Sequence, residues 1–492
     1  MVLRRALARP ALALLLTGAG LAGCTLEPHY VRPTPAIPQS WPVGDAYPPA
    51  SATPLPSVSY RDIFKDPNLQ AIVVEALANN QDLRAAMANV LIARSQYRVQ
   101  RAQLLPKIDA TGGMTEAHGL VETVTPAGAI TESRQTTRAY DLDLGFTSFQ
   151  LDLFGRVRSQ THAAQEQYFA SEAGLHAARL TLVAEVANAY LTLAADRSLL
   201  AIAKDTVASA QKTVDLTQAR LNGGVAPRTD LRQAQTVLEQ ANSDTANLTT
   251  SVAQDRNALE LLVGAKVADT ALPTSIEAVD SLLAEVPAGL QSGVLLRRPD
   301  VVQAEHQLRA ANAQIGAARA NFFPTISLTA LAGAASPALG QLFNGQNFNW
   351  TASGAADQTI FAGGANVANL ALAKGQRSLA VAQYQKAIQT AFQEVADALA
   401  RRGTIDAQMT AQNHLVAEAD DELVLATARY NQGIDPFLDT LVAQRTLYQA
   451  RQTLAETRLI RADNLVSLYQ TLGGDELIDA AGKPRPARIA AK

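Results

Sequence analysis

Ala219-Arg220-Leu221-Asn222-Gly223-Gly224-Val225-Ala226-Pro227-Arg228-Thr229-Asp230 returns as Ala428-Arg429-Tyr430-Asn431-Gln432-Gly433-Ile434-Asp435-Pro436-Phe437-Leu438-Asp439, an offset of 209 positions (219 to 428) with six of the twelve residues identical. The match continues through Ala234-Gln235 against Ala443-Gln444 and Leu238 against Leu447. A fixed internal period defines the architecture before any local motif does. Each copy carries the Gly-then-Pro punctuation of a tight turn between two helices. Gly223, Gly224 and Pro227 in the first copy, and Gly433 and Pro436 in the second, mark the tips of one long helical hairpin built twice.

Upstream of the first tip, Arg156 to Leu221 contains no proline and a single glycine, Gly174. A continuous helix there would extend on the order of 100 Å. Val186, Leu193, Leu200, Val207, Val214 and Leu221 keep sevenfold spacing, as do Leu231, Leu238, Val252 and Leu259 on the return, broken by Thr245. Heptads imply left-handed supercoiling of one helix on its neighbour. The second copy repeats the pattern with Val395, Met409, Val416, Leu423 and Tyr430, interrupted by Arg402, and alanines between allow close helix approach.

A second correspondence, at offset 218, pairs Asp82 with Asp300, Arg101-Ala102 with Arg319-Ala320 and Pro106 with Pro324. The helical pattern from Asp66 to Pro106 thus matches that from Arg298 to Pro324, and each proline ends its helix. Period-two runs follow: Ile108, Ala110 and Gly112; Tyr140, Leu142, Leu144 and Phe146; Ile326, Leu328 and Ala330; Phe348, Trp350 and Ala352, each opposed by polar residues. These predict four strands of about ten residues, the length a tilted membrane strand requires, separated by loops. Each half reads helix, strand, strand, helical hairpin. The expected divisions are a signal segment 1–23, a Pro-rich tether 24–59, a first repeat 60–264, an inter-repeat linker 265–298, a second repeat 299–473 and a flexible tail 474–492.

The first residues read as an export signal: Arg4, Arg5 and Arg9, then an apolar run from Ala11, closing with Leu21-Ala22-Gly23-Cys24. Cys24 is the only cysteine, which excludes a disulfide within one chain. Its place directly after Leu-Ala-Gly resembles the bacterial lipobox, whose cysteine is acylated and becomes the mature N-terminus. Thr25 in place of Asp implies, by resemblance to sorted lipoproteins, the outer rather than the inner membrane. Gly18-Ala19-Gly20-Leu21-Ala22-Gly23 matches the dinucleotide fingerprint by letter but has no βαβ context.

With 492 residues, 48% of them hydrophobic, and a net charge of -3, the chain is large and near neutral, with no basic footprint for nucleic acid. After the N-terminus no run of about 18 apolar residues occurs, so no spanning helix is expected. His29, His118, His162, His176, His306 and His414 are scattered without metal-ligand spacing or a nucleophile, and no P-loop or Gly-x-Ser-x-Gly occurs. His162 and Glu166, four apart on a helix, read as a solvated pair. Neither a catalytic site, a metal site nor a cofactor is expected.

Four strands cannot close a barrel, and an open sheet edge in lipid leaves backbone groups unsatisfied. Strands that enter a membrane here must be pooled by several chains. With that architecture, the chain resembles the TolC-like outer-membrane efflux channels, in their NodT-like lipoprotein branch. The resemblance rests on Cys24, Pro28-His29-Tyr30-Val31-Arg32-Pro33, Leu295-Leu296-Arg297-Arg298-Pro299-Asp300-Val301, Phe323-Pro324, Ile360-Phe361-Ala362-Gly363-Gly364, and Ala428-Arg429-Tyr430 through Gln444-Arg445. It implies a mixed α/β membrane protein: a homotrimer whose helical hairpins form an α-barrel tunnel in the periplasm, and whose strands form a shared twelve-stranded β-barrel in outer-membrane lipid. It further implies docking to a periplasmic adaptor and an inner-membrane pump, with passive export of drugs or other small toxic compounds.

The resemblance makes the turns at 222–227 and 431–436 the adaptor-docking tips. Asp230 and Asp439 match aspartates that ring a closed aperture; Tyr430 and Arg445 match residues that brace it through inter-helix hydrogen bonds. Three acidic residues around a narrow pore repel anions and can be tied by Arg. A simpler reading makes both aspartates ordinary first-turn helix residues. Val442 stands where many family members carry a further Asp, which thins the ring. Two rival functions are a periplasmic coiled-coil adaptor lipoprotein without a barrel, and a channel for heavy-metal rather than drug efflux.

Overall fold

The computed structural model describes residues 25–35, 37–38, 40–48, 59–124, 128, 130–281, 283 and 292–477. Cys24 and the signal segment lie outside them. The helices are α1 (Tyr60–Ile63), α2 (Pro67–Asn79), α3 (Gln81–Ala102), α4 (Arg156–Asn222), α5 (Arg228–Val263), α6 (Ile276–Asp280), α7 (Pro299–Ala320), α8 (Ala365–Asn431) and α9 (Phe437–Thr471). The strands are β1 (Asp109–Val124), β2 (Ile130–Leu151), β3 (Thr325–Ser336) and β4 (Phe348–Asp357). No described helix is long and apolar enough to cross a membrane. The chain divides into two compact units, one of Met1–Pro33, Leu91–Phe169 and His306–Ala382, the other of Thr34–Val90, Ala170–Glu305 and Gln383–Lys492.

The first unit holds one antiparallel sheet in the order β1-β2-β3-β4. Its register puts apolar residues on one face: Ala110 opposite Leu144, Leu144 opposite Ala332, Ala332 opposite Trp350, and likewise Phe146–Ala330–Ala352 and Leu151–Ile326–Ala356. Asp141, Asp143, Thr325, Ser327, Thr329, Thr351 and Ser353 take the other face. Met114, Leu144, Phe348 and Trp350 are exposed on the apolar side, as lipid-facing residues would be. A register shift between Phe146 and Phe149 preserves this division. Ser148, at φ +56°, is the extra residue; without it Phe149 and Leu151 would fall on the polar face.

The strand lengths depart from the even ten-residue expectation. β1 has 16 residues and β2 has 22, against 12 and 10 for β3 and β4. β2 joins β3 only from Tyr140 onward, so the outer parts of β1 and β2, from Thr115–Ala139 to Val124–Ile130, pair with each other alone. Polar residues occupy both faces of this ribbon, and exposed Leu120 and Ile130 share one face with Glu116, His118, Arg134 and Arg138, so no clean period-two signal survives.

The same unit seats the start of the tether. Leu26 and Pro28 offer their carbonyls to Arg319 and Asn312 at 3.0 and 2.8 Å. Arg309 stacks on the Tyr30 ring. The backbone of Glu27 passes over Gly316, where a Cβ would lie 2.9 Å from the Glu27 Cα. His162 Nδ1 meets the Glu27 carboxylate at 3.0 Å, His162 Nε2 meets Glu166 at 3.4 Å, and His306 Nδ1 meets Glu166 at 2.6 Å. Glu166 is therefore a buried bridging carboxylate and not the solvated residue expected.

The second unit contains the hairpin seam. Leu231, Ala234, Leu238 and Ala241 are buried on α5, and their counterparts Thr440, Ala443, Leu447 and Ala450 are buried on α9. On α4, Ala203, Ala210 and Thr217 are buried between the half-buried heptad residues Leu200, Val207, Val214 and Leu221. Large and small residues thus alternate as a and d positions of a coiled seam. In this unit the tether continues past Gly403, where a Cβ would lie 2.3 Å from the Ala46 carbonyl oxygen, and Trp41 stacks on Phe392 at 5.0 Å.

Two expectations change here. The helix expected to begin at Asp66 is two helices, because buried Asn80 spends its side chain on the Leu262 carbonyl and the Leu83 N–H. The flexible tail does not start at 474. Gly474–Leu477 is a 3-10 turn, and Asp475 accepts from the Tyr60 N–H and the Tyr469 hydroxyl. The described part of the linker packs against the body: Ile276, Val279 and Leu295 are buried, and Ser198 donates to Glu277 while accepting from the Ile276 N–H. Arg298 is the staple of this unit, donating to Asp300, to Glu394 at 2.7 Å and to the Thr471 carbonyl.

Candidate functional site

The two tips have the same backbone. At the first, Gly224 N–H donates to the Leu221 carbonyl and Val225 N–H to that of Arg220, both at 3.0 Å. At the second, Gly433 N–H donates to Tyr430 and Ile434 N–H to Arg429, again at 3.0 Å. Gly224 and Gly433 sit at φ +72° and +73°, the left-handed residue of a Schellman ending. Pro227 and Pro436 then cap the return helices, with extended backbones and no side-chain hydrogen bond. The only exposed large apolar residues of the turns are the equivalent pair Val225 and Ile434, 68% and 57% accessible.

Asp230 and Asp439 are third residues of α5 and α9, and their N–H groups close the first turn on the Pro227 and Pro436 carbonyls. Both are well placed against the helix dipole, as the simpler reading has it. The Asp439 and Arg445 side chains are exposed and make no side-chain hydrogen bond or ion pair among the described residues, though Asp439 lies in the field of Arg429. Val442 lies between them in sequence and is also exposed.

Tyr430 is buried in a cluster with Ala234, Phe437 and Leu441, against which Val214 and Val237 pack. Within the chain its hydroxyl makes no hydrogen bond: the Tyr430 Oη is buried without a partner. Its ring is engaged instead. Phe437 lies 5.3 Å away, and the Arg220 guanidinium sits over the ring face, 4.5 Å from the centroid. Burial pushes the Tyr430 phenol up, keeping it neutral. Arg429, the counterpart of Arg220, instead pairs with Asp435 of its own turn, and its guanidinium holds that carboxyl below the usual range. Further along the helices, Gln444 reaches Thr213 at 3.2 Å and Tyr448 donates to Asp244 at 2.8 Å.

Of the four expected aperture residues, the fold therefore places Tyr430 in a core linking the two hairpins and leaves Asp439 and Arg445 open. Arg220, Asp435 and Phe437 escaped the sequence reading. For Asp435 and Phe437 the signal was present as differences between the copies, against Ala226 and Arg228; Arg220, identical to Arg429, carried none.

The sequence profile of the outer membrane efflux proteins matches residues 72–265 and 290–474. The antibiotic efflux pump outer membrane protein ArpC of Pseudomonas putida is 43% identical over 466 residues, 94% of this chain and 95% of that protein. OprJ of Pseudomonas aeruginosa, an outer membrane protein, is 37% identical over 463 residues, again 94% and 95% of the two chains. The crystal structure of the open state of the Neisseria gonorrhoeae MtrE outer membrane channel superposes with a TM-score of 0.79 at 35% identity, covering 92% of this chain and 98% of that one. Doubled hairpins and a one-sided apolar sheet thus belong to an outer-membrane channel rather than to an enzyme family: the chain belongs to the outer membrane efflux protein family.

Proposed function

We propose that this chain works as a homotrimer, receives substrate from a periplasmic adaptor and an inner-membrane pump, and lets it pass outward through an aperture at the tips. The observation that carries this reading is the sheet. It has an exposed apolar face, and β1 and β4 each keep an unpaired edge, which only neighbouring chains can satisfy in lipid. A barrel-free adaptor has no use for such a face. Val225 and Ile434 give each chain two equivalent apolar contacts for the adaptor. Asp439 and Arg445, unpaired within the chain, are free to meet a neighbouring chain at the aperture, with Asp230 adding to an acidic ring. The cargo is small toxic compounds, in keeping with a relative named for antibiotic efflux. Cys24, acylated, anchors the chain to the outer membrane.

The aperture reading predicts that Asp439→Ala and Arg445→Ala each raise single-channel conductance in a planar bilayer. Conductance unchanged in both removes these two residues from the gate.

A further inference from the structure

We infer that Arg220 is a positioning residue of the aperture: its guanidinium clasps the face of Tyr430 and holds the first hairpin of the chain against the second. The inference rests on the reading of the tips as the aperture.

Arg220 and Arg429 occupy the same position on the same backbone turn, each accepting at its carbonyl from the N–H five residues on. Their side chains diverge because their surroundings do. Arg429 finds Asp435 in its own turn. The matching position of the first turn is Ala226, so Arg220 has no acid at hand there. It lies over Tyr430, 4.5 Å from the ring centre, with its Nε buried and without a hydrogen-bond acceptor. Tyr430, for its part, offers only its ring, since its hydroxyl is unpartnered. A planar guanidinium stacked on an aromatic face in a desolvated site is a favourable use of both groups.

The contact has a direction. The residue matching Tyr430 in the first tip is Leu221, which has no π face, so the first hairpin supplies the cation and the second the ring. Phe437 and Leu441 of α9 and Ala234 of α5 back the ring. The ends of α4, α5, α8 and α9 therefore meet at one point. To splay the hairpins, Arg220 must leave the ring and Ala234 must be uncovered. The links Gln444–Thr213 and Tyr448–Asp244 lie on the same helices farther from the turns, which leaves the clasp as the outermost tie.

The test uses the full-length channel in planar bilayers. Arg220→Met keeps the length of the side chain but loses the stacked cation, and conductance is expected to rise twofold or more. Ala226→Asp deletes nothing; it places a carboxylate where Asp435 sits, draws Arg220 into its own turn, and raises conductance in the same way. Tyr430→Leu removes the ring face that Arg220 covers and raises conductance in the same way. Arg228→Met removes an equal charge from an exposed site on the same tip and stays at wild type. Wild-type conductance in both Arg220→Met and Ala226→Asp overturns the clasp, as does wild-type conductance in Tyr430→Leu or a rise in Arg228→Met equal to that in Arg220→Met. A separate arm labels Asp439→Cys, an exposed residue assigned to the aperture, with a bulky maleimide. Block by the label with Arg220→Met and Ala226→Asp unchanged sinks the clasp alone. Absence of block sinks the aperture reading as well.

Discussion

One carboxylate, Glu166, accepts from two imidazoles, and through His162 it holds Glu27 at the start of the tether. Burial alone would raise Glu166, but the hydrogen bonds from His162 and His306 outweigh it and bring the group down to about 2, against its usual 4.5. The same carboxylate, then Glu27, raises His162 from 6.5 to about 10. The two groups set opposite limits. The contribution of Glu166 is present above 4.5 and fades as pH falls toward 2; that of His162 is complete below 6.5 and fades as pH rises through 10. The stability difference between wild type and His162→Ala is thus expected to be largest from pH 4.5 to 6.5 and to shrink steadily to pH 10. Thermal melts of both proteins across that range measure it, and a difference that grows with pH contradicts the network. None of this was legible locally. His162 and Glu166 show ordinary helix spacing, while Glu27 and His306 lie 135 and 140 positions from their partners.

At the scale of elements, the hairpins were readable because their signals are local: a left-handed glycine, a proline at the start of the return, and sevenfold spacing. The strands were readable only where one face is apolar. In the outer ribbon, Thr115–Val124 against Ile130–Ala139, polar residues fall on both faces and alternation carries little information. The bulge at Ser148 was equally invisible, since an inserted residue looks like a lost period. It is nevertheless what keeps Phe149 and Leu151 with Phe146 on the apolar face. Deleting Ser148 is expected to send both side chains to the polar face and to abolish the heat-modifiable trimer in outer-membrane fractions. A deletion variant with wild-type trimer yield would show that the register there is not set by lipid.

Across the whole molecule, the two repeats were evident from their offsets, but the parts that join them were not. Arg298 was noted as a motif letter; in the fold it is buried and shared by Asp300, Glu394 and the Thr471 carbonyl, drawing the start of α7, the middle of α8 and the end of α9 together. Breaking such a partly buried pair from the cationic side typically costs about 3 kcal/mol, so Arg298→Ala is expected to lower the unfolding free energy by about that amount. Denaturant titration reads it, and a loss below about 1 kcal/mol would make the motif a surface feature.

Gly316 and Gly403, over which the tether passes, have the counterparts Arg98 and Ala194 in the first repeat, at offsets of 218 and 209. At these two crossings the later repeat lacks the Cβ that the strap would meet. A chain is made from its N-terminus, so residues 26–28 appear long before Asn312 and Arg319, which lie 284 and 293 positions beyond their tether partners. The end that emerges first therefore completes its contacts last: His162 of the first repeat reaches Glu27, but Asn312 and Arg319 belong to the second. A chain truncated before residue 312, however well its first hairpin is coiled, lacks both of the side chains that hold the carbonyls of its own beginning.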